Sequence, residues 1–493
     1  MDVPWPTATM DVPWPAATMD VPWPTATMDD VPPTDDDPAM TRAGAMTAAR
    51  DHSMDFYRVA ALVFVVLGHW VAASLTYRDG SFWRENPLVQ MPWTQWLTWM
   101  FQVVPVFFVV AGYASAVSWS RHRHNGGDGR QAWLRHRLTK PLGPTAVYVV
   151  FALAVVAVLR AAGVAGAELD FGAWAVAMHL WFLGVYAVMI ALTPVAMAAH
   201  RRWGLAVPAA LAVAVAVVDL ATIGAQLPHL GWVNHLLPWA VLYQLGIAWH
   251  AGMLRGCAPL LLASCSAVAL VLLVTVGPYP VSMIGVPGQT LQNTSPPNLA
   301  ILALGVAQAG VVLAAAPLLN RVLNSPRRQR ILAVANDNVM ALYLWHMVPV
   351  VIVALIGYPT GLLPQPPLGS AAWWLARLEW LVVLAMVAAL ELVLLWWGRA
   401  LFAAPLPTLR VPITPRWGEP LVLAGTALTA GSLSWFAALG FAPNGDVPVA
   451  TTACFLAGLV LVAVAPRNSA AADVGVGAEL DRQHQPGDSD QQP

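Results

Sequence analysis

The chain reads as an all-α, polytopic integral membrane helical bundle of about twelve transmembrane helices, and three observations lead there. Hydrophobic residues make up 58% of its 493 positions and charged residues only 10%, far more apolar surface than a water-soluble fold of that length needs. Apolar runs of roughly 20 residues, long enough to cross the hydrocarbon layer, recur along most of the chain. The short loops between them alternate between basic and uncharged, as the positive-inside rule requires.

Taken in order, the spans are expected near residues 55–76, 96–119, 142–162, 172–198, 203–222, 235–252, 258–276, 299–319, 337–356, 371–397, 420–440 and 448–465. Arg121, Arg123, Arg130, Arg135, Arg137 and Lys140 fill the second loop, and Arg201 and Arg202 the fourth. Arg255 lies in the sixth, Arg321, Arg327, Arg328 and Arg330 in the eighth, and Arg399, Arg410 and Arg416 in the tenth. These loops, and with them both termini, are expected on the cytoplasmic side of the cell membrane. The seventh connection, GPYPVSMIGVPGQTLQNTSPPN, carries no charge, and the fifth and eleventh carry no lysine or arginine, so they are expected to face outward. The first loop offsets Arg78 and Arg84 with Asp79 and Glu85.

The flanks are of a different kind. Three copies of a unit of the type MDVPWPTAT open the chain, followed by MDDVPPTDDD. Proline at that density beside an acidic run builds neither helix nor core, so residues 1–50 are expected to be a disordered cytoplasmic repeat and linker. Residues 467–493 read as a second disordered cytoplasmic tail. No basic n-region with a short apolar core and cleavage site precedes the first span, so no removable signal peptide is expected. The net charge of −1 hides a segregation of acids into the tails and arginines into the loops, a pattern that does not suit nucleic acid. Cys257, Cys265 and Cys454 form no ligand or redox spacing, and neither a metal site nor a disulfide framework is expected. Lys140 is the single lysine among 25 basic residues, which points to GC-rich coding and a bacterial source.

Polar chemistry inside the apolar runs marks the candidate site. Arg58 and His69 stand eleven residues apart in DFYRVAALVFVVLGHWVAASL. That is three turns plus about 20°, so both project from one helix face, with the imidazole about 16 Å deeper. Ionisable groups within a span rarely face lipid, so the pair points to a protein interior or a wet cavity. Asp55, one turn before Arg58, and Glu391 are its possible counter-ions. Arg135, Arg137 and Lys140 precede the third span in WLRHRLTKPLGP, and the last two share a helix side, as gripping a phosphate would require. His179 opens the fourth span, and Tyr343 and His346 are i, i+3 neighbours in the ninth, with His346 at a depth comparable with His69. Asn293, in the uncharged seventh connection, offers an amide suited to a sugar hydroxyl, although such residues also make ordinary turns.

These blocks together resemble the acyltransferase 3 family of integral membrane acyltransferases. DFYRVAALVFVVLGHW is similar to its first span, with Arg58 and His69 in the positions of the family's arginine and histidine. FFVVAGY resembles the second-span element, with Ala111 where serine is common, and WLRHRLTKPLGP the basic motif, with Lys140 where a second arginine is usual. HLWFLGVY and ALYLWHM resemble two further blocks, and all occur in the family's order.

The resemblance implies a ten-helix acyltransferase core, assigned to residues 51–400, with two additional C-terminal transmembrane helices in residues 401–466. It implies transfer of an acyl group, usually acetyl, from a cytosolic acyl-CoA (acetyl-CoA) donor to a hydroxyl of a glycan or lipid acceptor. His69 is then the general base, because an imidazole titrates near neutrality. Arg58, Arg135, Arg137 and Lys140 serve the donor, Tyr343 and His346 orient the acceptor or stabilise the oxyanion, and His179 and Asn293 lie on the acceptor side. The alternative is a proton-coupled secondary transporter, which shares the twelve-span plan and uses buried His and Glu as relays. The two halves of the chain show no similarity to each other, which speaks against it. A catalytically idle scaffold, suggested by the Pro/Trp repeat alone, is a third option.

Overall fold

A computed structural model describes residues 51–126 and 129–466; the repeat and linker at 1–50 and the tail at 467–493 lie outside the described residues. The first helix, α1 (His52–Ala72), starts where Asp51 accepts a hydrogen bond from the Ser53 amide, relieving one of the unpaired donors of a helix N-terminus. Next come α2 (Val104–His124), α3 (Arg130–Ala161), α4 (Gly166–Ala177), α5 (Trp181–Trp203), α6 (Ala206–Asp219) and α7 (Leu237–His250). They are followed by α8 (Ala258–Thr275), α9 (Leu299–Leu323), α10 (Pro326–Trp345), α11 (Val348–Gly357) and α12 (Ala371–Trp397), then α13 (Gly418–Leu439) and α14 (Val449–Ala463). Asn298 and Ser370 cap α9 and α12 as Asp51 caps α1.

The count of spans differs from the twelve read in the sequence. Among the described residues nine helical stretches are long and apolar enough to cross a bilayer, or ten with α10 and α11 taken as one span bent by 54°. The other two expected spans are helical but short. Helix α7 has 14 residues and α14 has 15, about 21 and 23 Å against a hydrocarbon layer of about 30 Å. Their flanks account for the shortfall. A 3-10 helix, Pro228–His235, precedes α7, and α14 runs into the strand β4 (Val464–Pro466), which pairs in parallel with β3 (Leu409–Val411). Apolar residues alone do not say whether such flanks continue the helix.

At the opposite end of the bundle from the basic loops, β1 (Leu75–Arg78) and β2 (Ser81–Arg84) form an antiparallel hairpin in the register Leu75↔Arg84. Its turn is Asp79-Gly80, with φ of 50° and 78°, as a two-residue turn that matches strand twist demands. In this first loop the sequence spelled that turn as DG.

Glycine sets the closest helix crossings. A Cβ at Gly112 of α2 would collide with the Tyr243 carbonyl of α7, and one at Gly246 of α7 with the Val109 carbonyl of α2, so each helix presents a notch to the other. Gly184 of α5 faces the Ala430 carbonyl of α13, and Gly425 of α13 faces the Gly458 carbonyl of α14, in the same manner. Small residues let backbones approach where lipid supplies no hydrophobic drive for helix association. Gly246→Leu should therefore destabilise the bundle by about 1–3 kcal/mol or more, read as a lower thermal unfolding midpoint in detergent; an unchanged midpoint would show that α2 and α7 do not cross there.

Candidate active site

Two helix breaks and one unbroken helix build the site. Helix α10 ends at Trp345, and α11 starts at Val348 with Pro349 as its second residue. Proline has no N–H to return to the Trp345 carbonyl four residues back, so the α-helical ladder fails there. His346 occupies the break and is fully buried. Helices α4 and α5 are interrupted around Met178–Leu180 without a proline, with His179 inside the interruption and 3% exposed. His69 stands unbroken within the last turn of α1.

The three imidazoles meet. His69 Nδ1 lies 2.9 Å from His346 Nε2, the two rings stack with centroids 5.1 Å apart, and the His179 ring lies edge-on to His346 at 4.9 Å. Backbone freed by the breaks is taken up by the site's own side chains, which is how non-helical backbone is tolerated at membrane depth. The Tyr343 hydroxyl donates to the His179 carbonyl at 2.5 Å, and the Trp70 indole donates to the His346 carbonyl at 2.8 Å. His346 Nδ1 faces the Tyr343 carbonyl at 2.8 Å.

That last contact fixes the tautomers. A carbonyl only accepts, so His346 Nδ1 carries a proton, and in a neutral ring its Nε2 is then the acceptor. His69 Nδ1 must supply the proton between the rings, which leaves the lone pair on His69 Nε2. Among the described residues no protein group bonds that nitrogen, and neither ring nitrogen of His179 has a hydrogen-bond partner.

His69, His179 and Tyr343 line a cavity of about 1950 Å3. His346 stands behind them and does not line it. The walls are mostly aliphatic and aromatic, and the polar lining comes chiefly from the segment after α1, with Arg84, Glu85, Asn86 and Gln102, and from the loop that connects α8 to α9, with Gln292, Thr294 and Ser295. This arrangement offers a base with an open lone pair, a second ring to hold the proton opposite it, and a largely apolar pocket in front.

The residues 51–396 match the acyltransferase 3 family, whose model describes an acyltransferase domain. The chain belongs to the acyltransferase 3 family. No curated protein and no solved structure matches it. It is accordingly a membrane acyltransferase, and α13 and α14 lie beyond the matched residues.

The acyltransferase distributes its other candidate residues over two ends of the bundle. Arg58 shares a face with His69, but that face meets one helix and not one cavity. Arg58 donates to the Asn336 side chain at 3.0 Å, just as His69 meets His346, so α1 and α10 run parallel and touch at two levels. Its ion-pair partner is Asp55 at 3.8 Å, not Glu391. Arg137 turns inward and reaches Ser115 of α2 at 3.4 Å, with its Nε buried and without a partner among the described residues. Arg135 keeps Nη1 buried and unpartnered, whereas Lys140 is exposed, so the shared side expected for Arg137 and Lys140 does not bring the two together.

Asn293 is fully buried and its amide is occupied. It donates to the carbonyls of Pro280 and Ser282 at 2.7 and 2.9 Å and accepts from Asn298 at 2.8 Å. It fastens the loop whose neighbours line the cavity. Asp219, which the sequence reading passed over, anchors the other side of that loop. Its carboxylate accepts from Asn234, Tyr279 and the Leu299 amide at 2.7–2.8 Å.

Arg377 was also missed, hidden in WWLARLEW of α12, where an arginine among tryptophans was the available signal. Only 7% exposed, it donates to the Ala73 carbonyl at 2.6 Å and to the Ser74 hydroxyl at 2.8 Å, and its guanidinium lies 4.7 Å over the Trp373 ring. A cation thus closes the C-terminal end of α1, four residues beyond His69. Trp380 on the same helix donates to the Trp70 carbonyl at 3.0 Å. Arg377→Met should cost about 3 kcal/mol, because the buried Ser74 hydroxyl and the half-buried Ala73 carbonyl lose a charged donor; a thermal unfolding midpoint equal to wild type would contradict this anchoring.

Proposed function

We propose that the protein moves an acyl group, acetyl in the first instance, from a cytosolic acyl-CoA-type donor to a hydroxyl of an envelope glycan or lipid. The observation that carries this reading is the relay Tyr343 carbonyl, His346, His69, ending in an unpartnered Nε2 at the wall of a cavity in an acyltransferase fold. His69 Nε2 takes the acceptor's hydroxyl proton as that oxygen attacks the thioester carbonyl; the tetrahedral intermediate then collapses with cleavage of the C–S bond, and the CoA thiolate leaves and takes the proton back from the imidazolium. The imidazolium that forms is stabilised through Nδ1–H by the His346 lone pair, the role an acceptor behind a histidine plays in hydrolytic triads. The free ring of His179 lies beside them, suited to donate to the developing oxyanion or to fix the acceptor. Tyr343 acts through its bond to the His179 carbonyl, as a positioning residue.

On the basic end, Arg58, Arg135, Arg137 and Lys140 would neutralise donor phosphates. The buried, unpartnered nitrogens of Arg135 and Arg137 support that role. Asn293 acts on the acceptor side through the loop it fastens. The basic loops are read as cytoplasmic and the cavity mouth as facing out of the cell, which puts donor and acceptor on opposite faces of a plasma membrane.

The trial is His69→Gln in proteoliposomes supplied with radiolabelled acetyl-CoA and envelope extract. Acetyl transfer should fall by about 10²–10⁴ with insertion intact, the usual worth of a general base. Wild-type turnover in the variant would remove the proposed base.

A further inference from the structure

The cavity is larger than the chemistry at its floor requires. At about 1950 Å3 it is roughly twice the volume of the largest ordinary small-molecule pockets, about 1,000 Å3. One wall of it is apolar and exposed. Phe151 and Val155 of α3 and Leu355 of α11 line it and are also 39–55% exposed on the bundle's surface, so this wall is open to the surrounding bilayer. Across from them stands α13, which presents Ala427, Gly431, Ser434 and Ala438 to the cavity, positions i, i+4, i+7 and i+11 on one helix face. Small side chains along that stripe leave a trough, and a Cβ at Gly431 would meet nothing within 4 Å.

Helix α13 is no part of the family's matched domain, which ends at residue 396. It is nevertheless fixed to the core at both ends. Arg130 at the start of α3 ion-pairs with Glu419 at the start of α13, and Arg160 at the end of α3 pairs with Asp446, just past the end of α13. Between these ties the two helices border the opening. At the floor of the same cavity His179 is 97% buried, given its 3% exposure, and neither ring nitrogen has a hydrogen-bond partner among the described residues, so the space leads to polar groups that the protein itself does not satisfy.

We infer that α13 converts the reaction cavity into a seat for a hydrocarbon chain, and that the acceptor is a lipid-anchored hydroxyl compound whose tail enters sideways from the bilayer between α3, α11 and α13. This rests on the acyltransferase reading of the site. The tail is assigned to the acceptor because the cavity's polar lining, Arg84, Glu85 and Gln292 among it, lies at the end of the bundle opposite the basic loops. The buried, unpartnered arginine nitrogens suited to a donor's phosphates lie at the other end. At the mouth, Arg84 lies 4.3 Å from the rings of both Phe171 and Trp174, and burial lowers its pKa from the ordinary value against the pull of Asp170. It offers a held cation beside the headgroup of such a lipid.

The test is photolabelling of the full-length protein in liposomes with dodecyl glucoside carrying a diazirine at the chain end, followed by peptide mapping. Label is expected on α3 and α13. Gly431→Phe, which fills the trough, should cut it by about tenfold or more, the loss expected when a few methylenes are unseated. Gly172→Phe on α4, another cavity-lining glycine with open space at its Cβ, should do the same and guards against a folding defect in α13. Leu378→Phe, on the exposed face of α12 away from the cavity, should not. Label spread over outward faces regardless of Gly431→Phe would overturn the inference. So would label on α13 from a diazirine-bearing palmitoyl-CoA but not from the glucoside, since the trough would then serve the donor. Labelling does not depend on turnover, so a loss of acetyl transfer in His69→Gln leaves this result unmoved.

Discussion

The hydrogen bond between His69 and His346 is the constraint on which the rest of the site depends. Two helices far apart in sequence must run parallel, at the right rotation and the right height, for one ring nitrogen to lie 2.9 Å from the other. A second bond between the same helices, from Arg58 to Asn336, fixes the rotation. The height is set at the far end of α1, where Arg377 closes the helix terminus and Trp380 holds the Trp70 carbonyl. Three tethers on one helix over its whole length leave the imidazole little freedom, which is what a base must have if its proton transfer is to be efficient.

Breaking two helices beside that bond looks costly inside a bilayer, because each break frees backbone groups that water cannot reach. Here the freed groups become the site's wiring. The His346 carbonyl holds Trp70, the His179 carbonyl holds Tyr343, and the Tyr343 carbonyl dictates which nitrogen of His346 carries hydrogen. One carbonyl thereby selects the tautomer of a ring, that ring selects the tautomer of the next, and the lone pair emerges in the cavity. The order of these residues in space follows from the breaks and not from their order along the chain.

Much of this is legible in the amino-acid sequence. Same-face spacing of Arg58 and His69 pointed to a protein interior or a wet cavity, and that face meets α10. The comparable depths of His69 and His346 followed from 1.5 Å per residue and the alternation of basic loops. What the spacing did not disclose is which neighbour each group faces, so Arg58 was expected to share a pocket with His69 and instead shares only a helix. Pro349 carried the signal for the break at His346, whereas nothing in AMHLWFLG marks the one at His179. Arg377 and Asp219 escaped because hydropathy treats a buried charge as a blemish, while their value lies in acceptors and donors that only the fold assembles. The difference in helix length has the same origin: α7 and α14 end where the backbone turns, not where apolar residues run out.

The account's central claim is that the two histidines act as a unit. A double-mutant cycle on acetyl transfer with His69→Gln, His346→Gln and the pair together addresses it directly, provided that each variant inserts normally. Groups that serve one proton should lose together, so the double variant should be no slower than His69→Gln alone. Losses that multiply, with each substitution exacting its full factor in the presence of the other, would contradict the relay and reduce His346 to a neighbour of the base.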